Sequence, residues 1–134
     1  MITKFNHVAI AVHDLKKAIK LYKDVLGGKV SDIHNYPNHG VSVSFVDLGN
    51  TKIELMQPFG KDSPIENFLN KNLNGGIHHI CIEVDDIYKI RDHLIKNNVS
   101  ILGDGEPKIG AHDKPVLFLH PKNFFGTLIE LEQE

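Results

Sequence analysis

The sequence predicts an α+β fold built from two tandem βαβββ modules, and two observations predict it. The first is an internal repeat. Residues 7–15 read HVAIAVHDL and residues 79–87 read HICIEVDDI, so a shift of 72 places His7 on His79, Val12 on Val84, Asp14 on Asp86 and Leu15 on Ile87. Residues 51–55 (TKIEL) match 127–131 (TLIEL) at a shift of 76, which places Glu54 on Glu130, and one short loop insertion reconciles the two shifts. The second is that both copies pass through the same patterns in the same order: a β-rich run, an aspartate, a stretch of helical period and three short β-rich runs.

The elements follow from these patterns. Phe5–Val12 and Ile77–Val84 are apolar and β-rich and open the modules. Asp14 and Asp86 then supply the side-chain oxygen that a helix N-terminus needs. In the first helix Leu15, Ala18, Ile19, Tyr22, Val25 and Leu26 recur at helical spacing, and in the second Ile87, Ile90 and Leu94 do. Gly27-Gly28 and Asn97-Asn98 end these helices. Strands are predicted at about 29–36, 41–48 and 51–57, and again at about 99–106, 115–120 and 126–132. Between the modules, Ser63-Pro64-Ile65-Glu66 reads as a capping box with proline at the first helical position, so a short helix is predicted over 64–72. Asn74-Gly75-Gly76 ends it. The chain is thus expected to be one domain over 1–134, with module one at about 1–60, a connector helix at about 61–75 and module two at about 76–134.

Bulk composition narrows the function classes. The chain has 134 residues, 41% hydrophobic and 24% charged, with a formal net charge of -2. That size suits one domain with a real core, and the charge argues against a nucleic-acid binder. The single cysteine, Cys81, excludes an internal disulfide and is compatible with a reducing compartment. No signal-peptide pattern opens the sequence, and no apolar run approaches the roughly 20 residues of a membrane helix, so a cytoplasmic protein is expected. The nine histidines direct attention to metal ligands.

Strand alternation sorts those histidines. His7, Ala9 and Ala11 share one face of the first strand, and bulky Val8, Ile10 and Val12 share the other, which should pack on helices. His79 and Cys81 repeat the arrangement against Ile80, Ile82 and Val84. On the last strand of each module Glu54 opposes Ile53 and Leu55, and Glu130 opposes Ile129 and Leu131. The face with small residues leaves room beside the polar side chains. Each module therefore offers one histidine and one glutamate away from its apolar packing, and charged residues have no generic reason to stand on an inner face. Local sequence alone does not separate His78 from His79; the repeat register selects His79. Two neutral imidazoles and two carboxylates suit a divalent ion such as Co, Ni, Zn or Mn. Cys81 reads as a small buried filler matching Ala9. His13, His34 and His93 read as surface residues, and Glu132 and Glu134 as solvated strand residues.

With His on the first strand and Glu on the last, the duplicated βαβββ plan resembles the vicinal-oxygen-chelate superfamily, which includes glyoxalase I, extradiol dioxygenases and antibiotic-resistance proteins. The fold this implies is a curved eight-stranded sheet around a metal site. The finer similarity is to the methylmalonyl-CoA epimerases of that superfamily. It runs through HVAIAVHDL at 7–15, HGVSVSFVDLGNTKIEL at 39–55, PFGKDSPI at 58–65, GGIHHICIEVDDI at 75–87, IGAHDKPVLFLHPK at 109–122 and GTLIELEQ at 126–133.

The resemblance implies an isomerase that interconverts (2R)- and (2S)-methylmalonyl-CoA by α-proton abstraction. Its metal ligands fall on His7, Glu54, His79 and Glu130. Some relatives carry a glutamate base at the position of Val43, so in this chain Glu54 and Glu130 are the candidate bases. Lys108, His112, Lys114, His120 and Lys122 are candidate contacts for the acyl-CoA, and a homodimer is implied. Phe124-Phe125 stands where small or polar residues are expected.

Two other activities fit parts of the pattern. Glyoxalase I, a lactoylglutathione lyase, would use the same four ligands. A non-catalytic binding module of the drug-sequestering type often lacks them. Dioxygenase chemistry is disfavoured, because it typically uses two histidines and one carboxylate.

Overall fold

The computed structural model describes residues 1–134. The strands are β1 (Ile2–Ala11), β2 (Lys29–Val30), β3 (His34–Tyr36), β4 (Val41–Asp47), β5 (Lys52–Pro58), β6 (Gly76–Val84), β7 (Lys108–Ile109), β8 (Pro115–Leu119) and β9 (Ile129–Gln133). The helices are α1 (Leu15–Lys20), α2 (Glu66–Lys71) and α3 (Ile87–Lys96). Nine strands stand where eight were predicted: residues 31–33 interrupt the second strand of the first module, and β7 at Lys108–Ile109 stands in place of the strand predicted over 99–106. None of the helices is long and apolar enough to cross a membrane. The chain divides into two compact units: an N-terminal unit of His7–His78, and a C-terminal unit of His79–Glu134 with Met1–Asn6.

In the N-terminal unit the strand order is β2-β4-β5-β1, with β3 also on β4. β4 and β5 form an antiparallel hairpin, and β5 runs parallel to β1 with Ala9 opposite Glu54. The bulky face of β1 behaves as predicted: Ile10 and Val12 pack with Leu15, Ala18, Ile19 and Tyr22 of the first helical segment against Val46 and Leu55. The small-residue face is different. Ile65 and Leu69 from the connector pack on Ala9, Ala11, Val41, Val43 and Met56, so much of the expected room is filled by the protein itself. At about 1.5–3 kcal/mol for each large apolar side chain buried, this connector contact is a principal source of the unit's stability.

Two local predictions in this unit are corrected. The first helix does not stay α-helical to residue 26, since Leu21–Val25 widen into a π-turn closed by Leu26 N–H donating to the Leu21 carbonyl at 3.1 Å. The extra width rotates the apolar stripe outward, leaving Leu21, Val25 and Leu26 exposed. The capping box is not formed either. Ser63 Oγ donates to the Gly40 carbonyl at 2.6 Å, so the hydroxyl ties the connector to the turn before β4. α2 accordingly starts at Glu66 without a side-chain cap. The glycine pair after it is required: a Cβ on Gly75 would lie 2.4 Å from the Ala11 carbonyl oxygen, on a backbone with φ of +75°.

In the C-terminal unit the order is β6-β9-β8-β7, with residues 2–6 of β1 beside β6. β6 and β9 are parallel, with Cys81 opposite Glu130 and Glu83 opposite Glu132. α3 covers the other face through Ile87, Ile90 and Leu94, against Val84, Leu117, Leu119 and Leu131. The strand predicted over 99–106 is absent. Gly103 and Gly105 take positive φ and turn the chain, leaving one bridge between Ile101 and Leu119 before β7 begins at Lys108.

The predicted aspartate caps form in both units, Asp14 accepting from Lys17 N–H and Asp86 from Tyr88 and Lys89 N–H. A second cap was not foreseen. Gln57 Oε1 accepts from Leu15 N–H at 2.7 Å, and Gln133 Oε1 accepts from Ile87 N–H at 3.0 Å. In each unit the end of the last strand thus pins the start of the helix, and the two glutamines match at the same shift of 76 as the glutamates. Gln57→Ala and Gln133→Ala should each cost about 1–2 kcal/mol by leaving a partly buried N–H without its acceptor, measured by denaturant unfolding of the chelator-treated protein.

Glu83 ties the N-terminal residues into the C-terminal unit. It accepts from Asn6 Nδ2 at 2.6 Å and pairs with Lys4 at 3.2 Å. Burial raises the affinity of its carboxyl for a proton, but the Asn6 amide and the Lys4 ammonium more than reverse this, holding it below the ordinary glutamate range. A lowered folded-state value means that the ionised group stabilises the fold above the unfolded-state value. That contribution is lost as pH falls through the folded-state value. Glu83→Gln should therefore be less stable than the parent at pH 7 and lose less stability between about pH 5 and pH 3, as followed by circular dichroism.

Candidate metal centre

Each unit holds one buried histidine–glutamate pair. In the N-terminal unit, β1 carries His7 and the neighbouring β5 carries Glu54; both are buried, and His7 Nε2 lies 3.1 Å from Glu54 Oε2. In the C-terminal unit, β6 carries His79 and β9 carries Glu130; both are again buried, with His79 Nε2 3.0 Å from Glu130 Oε2. Parallel pairing of the module's first strand with its last makes these contacts. It sets the two polar side chains on one face while Ile53, Leu55, Ile129 and Leu131 turn away.

The surroundings are duplicated too. Phe45, the Cα partner of Glu54 on β4, meets the His7 ring edge-on at 6.2 Å. Phe118, the Cα partner of Glu130 on β8, meets His79 in the same manner at 5.5 Å. These aromatic walls were missed by sequence reading, although Phe45 and Phe118 match at a shift of 73, within the range of the other repeats. They hold the imidazole planes and lower the local polarity, which strengthens any charge interaction made there.

The donor chemistry fits a divalent cation. At 3.0–3.1 Å each imidazole and carboxylate are within hydrogen-bond distance of one another, so both donor atoms of a pair are held close enough to serve one ion. Imidazole with carboxylate is the donor combination that first-row divalent metals accept.

The remaining predicted residues fall in several places. Cys81 is fully buried on β6 between the site histidine and Glu83. Val43 is fully buried among Ala9, Met56 and Ile65. Of the acyl-CoA candidates, Lys108 pairs with Asp104 at 2.6 Å, and His120 Nδ1 accepts from Lys122 N–H at the start of a short 3-10 turn. His112 Nδ1 lies 2.8 Å from Glu132 Oε2, and Lys114 adds attraction at Glu83. The reading of Glu132 as a solvated strand residue is wrong: it is 2% exposed and takes bonds from both His112 and Asn6. Alternation places it on the same face as Glu130, which is the signal that should have shown its burial. His13, His34 and His93 are exposed as expected.

Residues 6–118 match the model of the Glyoxalase/Bleomycin resistance protein/Dioxygenase superfamily. The chain is 59% identical over 133 residues to the ethylmalonyl-CoA/methylmalonyl-CoA epimerase of Cereibacter sphaeroides, spanning 99% of each. It is 58% identical over 130 residues to the mitochondrial methylmalonyl-CoA epimerase of Homo sapiens, spanning 97% of this chain and 73% of that one. A solved structure of a Streptomyces coelicolor methylmalonyl-CoA epimerase variant in complex with 2-nitronate-propionyl-CoA aligns with a TM-score of 0.88 at 28% identity, over 100% of this chain and 99% of the other. A duplicated pair of buried His–Glu contacts on a repeated βαβββ scaffold, together with near-full-length identity above one half, leads to one conclusion: the chain belongs to the methylmalonyl-CoA epimerase family of the glyoxalase/bleomycin resistance protein/dioxygenase superfamily.

Proposed function

We propose that this protein interconverts (2R)- and (2S)-methylmalonyl-CoA, and that His7, Glu54, His79 and Glu130 act together as the ligands of one divalent ion. The observation that carries the reading is the duplication of a buried imidazole–carboxylate contact at 3.0–3.1 Å on matched strands. Packing alone gives no reason to bury the same charged pair twice. The family's near-full-length similarity supplies the substrate class.

Epimerisation at the α-carbon requires a proton to leave one face and return to the other. A bound divalent ion supplies a Lewis acid that offsets the negative charge developing on the thioester oxygen as that proton leaves. The chain supplies the acceptor. Glu54 and Glu130 are the carboxylates of the two pairs: one of them, loosened from the ion, takes the α-proton from one face, and a protonated acid returns a proton to the other face. Val43 offers no group that titrates, so the second transfer falls to the other pair's glutamate. The phenyl rings of Phe45 and Phe118 keep the histidines oriented and reduce solvent around them.

In deuterated water, metal-loaded protein should incorporate deuterium at the α-carbon of either epimer while optical activity is lost. It should form no lactoylglutathione from methylglyoxal and glutathione. Glu130→Gln should slow α-exchange by at least about a hundredfold, within the range that a lost general base costs; full turnover with metal retained would remove Glu130 from the proton transfer. Thioester formation without α-exchange would instead identify a lyase.

Metal binding has its own test. Adding Co, Ni, Zn or Mn to chelator-treated protein should raise Tm, with about 2.7 kcal/mol of stabilisation at a hundredfold excess over Kd. His7→Ala and His79→Ala should each lose most of that rise. If both variants keep it, the ion is held elsewhere.

A further inference from the structure

The two units carry the same His–Glu pair, but what lies beside the pair differs. In the N-terminal unit the face is apolar, filled by Ala9, Ala11, Val43 and Met56 under the connector. In the C-terminal unit it continues into charged groups. Glu83 and Glu132 are register partners on β6 and β9, 6% and 2% exposed. Asn6 Nδ2 donates to both, at 2.6 Å to Glu83 and 3.3 Å to Glu132. Lys4 pairs with Glu83 at 3.2 Å, and His112 Nδ1 reaches Glu132 at 2.8 Å. None of these four contacts belongs to the histidine–glutamate centre. Two buried carboxylates side by side are costly, and an apolar pair of similar volume would be as stable or more so, so the arrangement calls for a purpose other than stability.

That purpose is visible in what the network holds. His112 belongs to the tight loop between β7 and β8. Gly110 N–H donates to the Lys114 carbonyl at 2.8 Å, and Asp113 N–H to the Gly110 carbonyl at 3.1 Å. The loop is also closely packed. Asp113 takes a left-handed φ of +58°, which aspartate tolerates better than most residues, and only a residue without a Cβ fits at Gly110 beside Val116 as it stands, since a Cβ there would lie 2.7 Å from Val116 Cγ1. Glu132 is two residues past Glu130 on β9 and faces the same way, so the loop is anchored roughly 7 Å along the strand from that glutamate.

We propose that His112 is a positioning residue for the reaction: held by Glu132, and through Asn6 by Glu83, it latches the loop 110–114 onto the strand face that carries His79 and Glu130. The role in turnover rests on the epimerase reading above; the latch itself does not. A loop fixed this way presents the same groups to the substrate in every turnover, and a displacement of about 1 Å in such a segment costs up to about a hundredfold in rate.

The test compares His112→Ala with His112→Asn in the metal-loaded protein, because an asparagine amide donates to Glu132 in place of Nδ1 but has no ring. Amide hydrogen exchange of residues 110–114 reads the latch, and kcat and KM for methylmalonyl-CoA read its use. His112→Ala should raise exchange at Gly110 and Asp113 at least about tenfold and lower kcat/KM about tenfold or more. His112→Asn should restore both to within about threefold of the parent. Exchange unchanged in His112→Ala overturns the latch. Exchange restored by His112→Asn while kcat/KM stays low overturns the positioning role, since the imidazole itself is then needed. A parent protein that exchanges no α-proton removes the epimerase reading and the role in turnover with it, while the exchange comparison still decides the latch.

Discussion

Burying a carboxylate is the constraint around which both units are organised. Glu54, Glu83, Glu130 and Glu132 are all nearly inaccessible, and each is tolerated because a fixed donor meets it. His7 meets Glu54, His79 meets Glu130, Asn6 and Lys4 meet Glu83, and Asn6 and His112 meet Glu132. The rest of the architecture keeps those donors in place. Parallel pairing of the first and last strand of each module brings histidine and glutamate together, and the helices pack on the opposite, largely apolar face, where Gln57 and Gln133 pin the helix starts.

The duplication extends deeper than the ligands. Aspartate caps, glutamine pins from the last strand, and a phenylalanine against each histidine recur in both units. These three devices hold, respectively, the helix start, the helix against its strand, and the imidazole plane. What has diverged is the ground between them. The N-terminal unit uses its connector, through Ile65 and Leu69, to dry the face beside His7. The C-terminal unit leaves the equivalent face polar and ties the loop between β7 and β8 to it through His112. Two copies of one scaffold have become chemically unequal without disturbing the shared pair.

Much of this was legible in the sequence because it is periodic or repeated. Strand alternation put His7 and Glu54 on inner faces, and the repeat register selected His79 over His78. The aspartate caps were readable from a residue type at a boundary. What escaped reading depends on partners distant in sequence. Ser63 has the spacing of a cap, but its hydroxyl goes to Gly40. Residues 99–106 open with the strand-like run VSIL at 99–102, yet Gly103 and Gly105 adopt conformations that turn the chain. The π-turn at Leu21–Val25 shifts the helical face by a fraction of a turn, which a fixed period cannot represent. Glu132 looked like any charged residue near a chain end although alternation puts it beside Glu130; only the donors that make its burial tolerable, Asn6 and His112, lie far from it along the chain.

Phe125 adopts a left-handed backbone with φ of +54° and is fully exposed, while its neighbour Phe124 packs against the α3 core. A bulky aromatic side chain in that conformation is strained by about 1–2 kcal/mol and presents a ring to water without packing benefit inside the chain. Glycine or asparagine would sit there at ease. Exchange of Phe125 for glycine would relieve that strain and remove an exposed aromatic surface while leaving every buried contact of the two units as it is.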